Sequence, residues 1–245
     1  MLETNVPAPR PPMLWGWLEI LAVILFTVAS AVVLLVAAAG FTLLTGGANP
    51  ANSGMLAPAV YLTSMGIYLA VIVGVYLFAA RKHGWAALGW RSVPTRTLLL
   101  VPVVLIVGLG AMGLVNFALI QIVGEFENPQ VEAITGGQPF GSTGLIALLV
   151  LVAGIVPLSE ELFFRGMLYG TLRERWGLLP AVLVSALLFA LAHFLPVLMP
   201  ALFVMGLILA LLREYTGSVV PGILLHAMQN GIAIIAIQAA LVAAS

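Results

Sequence analysis

Cysteine and aspartate are both missing from this chain, and charge of either sign is scarce. Without cysteine there are no disulfides, no thiolate metal sites and no cysteine nucleophile. All nine acidic residues are glutamates, so an aspartyl dyad cannot be assembled. Charged residues make up 7% of the sequence, against about 25% in a soluble domain. The formal net charge is zero, which gives a nucleic-acid partner nothing to hold. Two signatures are also lacking: H-E-x-x-H, the usual helical zinc pair, and G-x-S-x-G, the usual context of a serine nucleophile.

What fills the chain instead is apolar sequence, 62% of all residues, with a mean hydropathy of +1.18. Stretches long enough to cross a bilayer recur from end to end. They are continuous rather than alternating, which favours helices over a closed barrel. The fold expected is all-α, a polytopic membrane protein of about seven transmembrane helices, with the lipid bilayer as its main partner. The spans fall near 15–44, 56–80, 97–123, 144–173, 178–194, 197–213 and 218–242. The first run is too long for a cleavable signal and reads as an anchor. Residues 1–13 read as a proline-rich, disordered cytoplasmic tail, 14–140 as three amino-terminal helices and 141–245 as the functional core.

Basic residues orient the chain. Arg81, Lys82, Arg91 and Arg96 share one loop, Arg173 and Arg175 a short turn, and Arg213 ends the sixth span. The loop at 45–57 is uncharged, and the one at 124–143 carries only Glu125, Glu127 and Glu132. With the amino terminus in the cytoplasm, every base except Arg165 falls on the cytoplasmic side of a plasma membrane. Trp15, Trp17 and Trp176 then lie at the interface as belt residues, and His83 in the solvated basic loop.

Against this background "GIVPLSEELFFRGMLYG", residues 154–170, is anomalous. A charge at the bilayer centre costs about 2.5–3.5 kcal/mol on insertion scales, so intramembrane acids are functional by default. Glu161 and Arg165 are four apart on one helical face and suit a structural ion pair. Glu160 points about 100° away and has no local partner. Phe189 and His193, in "FALAH", share a face, as do His226 and Asn230 in "HAMQN". Glu160 and His193 lie at similar depth, each about 20 Å from the turn that joins their helices. The fourth helix is long enough to need tilt or a kink, which Pro157 can supply.

If these side chains converge, two chemistries are open. A carboxylate in a water-poor site can act as general base on a water, helped by one histidine, while the second histidine and the asparagine stabilise an oxyanion. Alternatively Glu160, His193 and His226 can ligate zinc and leave a position for water. A proton relay in a transporter uses similar residues, but the paired inverted repeats of many transporters are not visible.

In order and on separate helices, "EELFFR" (Glu160, Glu161, Arg165), "FALAH" (Phe189, His193) and "HAMQN" (His226, Asn230) resemble the motifs EExxxR, FxxxH and HxxxN. These mark the CAAX prenyl endopeptidase and bacteriocin-processing (CPBP, or Abi) family of intramembrane proteases. The resemblance covers about residues 140–240. It implies an endopeptidase whose substrate is a membrane-associated or lipidated, CAAX-like protein. Glu160 is then the water-activating carboxylate, assisted by His193, with His226 and Asn230 at the oxyanion. Glu161 and Arg165 support, and Phe189 packs beside the site. A glutamate-activated water requires no metal cofactor, with zinc as the alternative. A non-enzymatic scaffold or bacteriocin-immunity protein of the same family is the competing expectation. The GxxxG step of Gly166 and Gly170, and the glycines at 108, 110 and 113, read as close helix packing.

Overall fold

The computed structural model describes residues 14–45, 58–126, 131, 134–136 and 138–244. The amino-terminal tail, the uncharged loop, Glu127 and Glu132 lie outside the described residues. Seven main helices follow one another: α1 (Trp17–Thr45), α2 (Pro58–His83), α3 (Thr95–Val123), α4 (Ser142–Trp176), α5 (Leu178–Leu191), α6 (Met199–Thr216) and α7 (Val220–Ala244). No strand occurs among the described residues. Six of the helices are long and apolar enough to span a membrane, and the chain is a multi-span, all-α membrane protein. Its outer surface is correspondingly apolar: Leu18, Leu43, Leu99 and Ile106 all point outward. In lipid such faces need no covering, because the backbone satisfies its own hydrogen bonds within each helix.

The fifth helix is shorter than the sequence suggests. It has 14 residues, about 21 Å, and stops before His193 instead of running to 194. Two local features end it. Phe194 adopts φ +54°, a left-handed conformation rare outside glycine. Pro196 then biases the residue before it away from helix, and Leu195 is extended, with φ −120° and ψ 84°.

At 35 residues α4 is the longest element, about 50 Å if wholly α-helical. It is not uniform. Leu149–Ile155 and Leu162–Leu168 are wound as π turns, flanking a short α segment, Val156–Glu161. Pro157 sits in the first turn of that segment. A proline lacks the N–H for an intrahelical bond and crowds the carbonyl four residues back, and the wider preceding turn relieves both. The expected kink is thus a change of winding.

The π turns leave carbonyls that side chains from other elements engage. Asn230 Nδ2 donates to Val152 O at 2.9 Å, Arg213 Nε to Arg165 O at 3.3 Å, and Trp15 Nε1 to Met167 O at 3.2 Å. Trp15 is therefore a buried packing residue, 9% exposed, rather than a belt residue. Trp17 and Trp176 do remain exposed, with their rings 5.8 Å apart. His83 is half-buried, its ring 6.0 Å from that of Trp15.

The basic ends gather. Arg175 lies over the Trp17 ring at 5.0 Å, Arg173 pairs with Glu214 at 2.8 Å, and Ser218 Oγ donates to Arg91 O at 2.7 Å. The glycine pairs divide. A Cβ on Gly166 would lie 3.1 Å from Leu88 O, in the turn after α2, whereas one on Gly170 would meet nothing within 4 Å. Likewise Gly108 lies against Ile208, while Gly110 and Gly113 face open space. Only one member of each set serves close packing.

Candidate active site

Glu160 from α4, Phe189 and His193 from the end of α5, and His226 and Asn230 from α7 line one cavity of about 420 Å³. Most of the remaining wall is apolar, including Met112 of α3, Val156 of α4 and Met205 of α6. Glu161 and Arg165 are not in the wall; they lie directly behind it, wholly buried.

The adjacent glutamates face different surroundings. Glu161 Oε1 accepts from Arg165 Nη1 at 3.0 Å and from His226 Nδ1 at 3.2 Å. Arg165 Nη2 continues to the carbonyl of Gly206 at 3.2 Å. A Cβ on Gly206 would lie 2.8 Å from Ala186 Cα, so glycine is what lets α6 approach α5 here. The guanidinium also sits 4.3 Å from the Phe189 ring centroid, a cation–π contact between two fully buried side chains. Phe189 in turn meets the His193 and His226 rings edge-on, at 4.9 and 5.8 Å. It is a packing post between the ion pair and both imidazoles.

Glu160 is 13% exposed, and its Oε2 is buried without a hydrogen-bond partner. The same oxygen lies 3.9 Å from His226 Nε2. That is too long for a direct hydrogen bond, and it fits a water or reacting oxygen at about 2.7–2.9 Å from each. Because Glu161 accepts at Nδ1, His226 presents Nε2 to the cavity. His193 Nδ1 faces the carbonyl of Phe189 at 2.9 Å, which can only accept, so its free Nε2 is an acceptor. Although His193 lies beyond the helix end, this bond carries it one further turn along the line of α5. It forms no ion pair with either glutamate among the described residues. Asn230 commits one N–H to Val152 O and keeps a second, together with its carbonyl.

Zinc ligation by Glu160, His193 and His226 gains no support from this arrangement. Among the described residues no three histidine or glutamate side chains come close enough to share a metal ion.

Two polar cavity residues went unnoticed in the sequence, Tyr68 of α2 and Gln229 of α7. Gln229 was legible in principle, three residues after His226. Tyr68 was not, since nothing in the sequence of α2 marks which face meets α4.

Residues 142–232 match the family model described as type II CAAX prenyl endopeptidase Rce1-like. The chain is also similar to the membrane-embedded CAAX protease MroQ of Staphylococcus aureus (strain USA300). They are 30% identical over 137 residues, 50% of this chain and 56% of the relative. The chain thus spans little more than half the length of that curated relative. No solved structure matches it.

Proposed function

Through residues 142–232 the chain belongs to the Rce1-like family of type II CAAX prenyl endopeptidases, and from that premise we propose that it is an intramembrane endopeptidase acting by glutamate-activated water. The observation that carries this reading is the single cavity in which Glu160 Oε2 stands unpartnered, 3.9 Å from His226 Nε2. Glu160 takes a proton from the bound water as its oxygen attacks the scissile carbonyl carbon. The resulting oxyanion is held by His226, as a donor at Nε2 when protonated, and by the second N–H of Asn230. When the C–N bond breaks, the proton on Glu160 passes to the leaving amine, relayed by His193, which lines the same cavity with its second nitrogen free to accept. Glu161, anchored by Arg165, fixes the orientation of His226. No step needs a metal.

The substrate proposed is a peptide bond near the carboxy terminus of a membrane-associated or lipidated protein. The mostly apolar cavity wall supports this, since it favours apolar side chains over charged ones. The basic helix ends support a plasma-membrane orientation with the amino terminus in the cytoplasm. The test is cleavage of a fluorogenic, carboxy-terminally lipidated peptide by purified protein and by Glu160→Gln, with and without chelator. Activity lost in the variant and kept under chelation supports the reading. Activity lost under chelation and restored by zinc overturns the metal-free mechanism. A folded wild-type protein that cleaves nothing turns the assignment toward a scaffold.

A further inference from the structure

Tyr68 lies outside the segment that matches the family, on a helix the motifs do not reach. It nevertheless lines the same cavity as Glu160. Its place follows from how α2 docks. Tyr61, seven residues earlier and so on the same helical face, donates from its hydroxyl to Ala147 O of α4 at 3.1 Å. That bond turns this face of α2 toward α4, and two turns further on the same face Tyr68 enters the cavity wall. Among the described residues its hydroxyl makes no hydrogen bond, whereas Tyr61 is tied down.

We propose that Tyr68 is a further catalytic residue, donating its phenolic O–H to the tetrahedral oxygen formed during peptide hydrolysis. This rests on the hydrolase reading above. The other donors are already partly engaged: His226 Nδ1 by Glu161, and one Asn230 N–H by Val152 O. An oxyanion is best held by two or more donors fixed in advance, and a phenol on a packed helix meets that need without carrying charge. The attacked carbon must sit beside the water on Glu160, and among the described residues Tyr68 carries the one hydroxyl in the wall of the cavity they share.

The test compares wild type, Tyr68→Phe and Glu160→Gln on the fluorogenic lipidated peptide and on its phosphinate isostere, a tetrahedral anion. In Tyr68→Phe the expected result is a kcat lower by about 100-fold with KM within twofold. Inhibition by the phosphinate weakens by a similar factor, while the thermal melt in detergent stays unchanged. If wild type cleaves, Glu160→Gln does not, and Tyr68→Phe matches wild type in kcat and phosphinate inhibition, the Tyr68 role is overturned and the hydrolase stands. A loss confined to KM also overturns it, because a mere wall residue would act there. If wild type neither cleaves the peptide nor binds the phosphinate, the hydrolase reading fails and takes this inference with it.

Discussion

The two sides of α4 at residues 160 and 161 make opposite use of the same side chain. On the cavity side Glu160 has an oxygen with no partner and space in front of it. On the packed side Glu161 is 0% exposed, its Oε1 bonded to both Arg165 and His226 and its Oε2, also without a hydrogen-bond partner, packed against Gly222 instead of facing the cavity. A hundred-degree turn of helix separates a group kept available from a group kept fixed. Availability is costly in a buried site, since an unpaired polar atom loses its hydration. Fixity is also costly, because both charges of a buried pair must be stripped of water. The molecule places the two costs back to back, with His226 reaching both carboxylates.

The largest expected effect breaks the comparison on the cavity side. Glu160→Gln is expected to lower peptide cleavage about 10³-fold while leaving the detergent melt within a degree or two, measured on one preparation. A parallel fall in stability would mean that Glu160 is also structural. Next is the packed side. Arg165→Met strands the Glu161 carboxylate and should destabilise the fold by about 3–5 kcal/mol, read from denaturant or thermal unfolding. Pairing it with Glu161→Leu should recover most of that stability but not activity, because His226 loses its anchor. Equal activity in the double variant would show that the anchor is dispensable.

Smaller effects sharpen the boundary between the regions. Gly206→Ala pushes a methyl against Ala186 Cα and should cost about 1–3 kcal/mol, visible as a lowered melt. Activity should fall further than that loss explains, since the Gly206 carbonyl holds Arg165. Gly170→Ala sits on the same helix as the ion pair but meets nothing. It should be neutral or stabilise by up to about 1 kcal/mol in the same unfolding assay. A clear destabilisation there would indicate a partner helix from a second copy.

The sequence made the spans and the motif residues legible for different reasons. Apolar length is a direct readout of the bilayer, so six spanning helices were visible as such. Glu160, His193, His226 and Asn230 stood out because polar residues are rare in lipid, and all four line the cavity. What was not legible depends on three-dimensional docking. Tyr68 looks like any aromatic in an apolar helix until α2 meets α4. Trp15 resembles an interface residue until Met167 O is freed by a π turn. The early end of α5 comes from a left-handed Phe194 that no propensity predicts. Motif order led to His193 as the partner of Glu160, and His193 lines the same cavity; that His226 also comes within 3.9 Å of the carboxylate was not legible.

The winding of α4 has a consequence for how the chain can change length. A π turn closes its hydrogen bond over five residues instead of four, so it holds one residue more than the α turn it replaces. Deleting a single residue within Leu149–Ile155 would let that stretch relax to α without rotating what lies beyond it. Glu160 would keep its heading, and only the carbonyl that anchors Asn230 would be drawn back into the helix. The same deletion in a uniformly α-helical span would swing every later side chain by about 100°. In this helix a one-residue loss within the first π turn is a local edit.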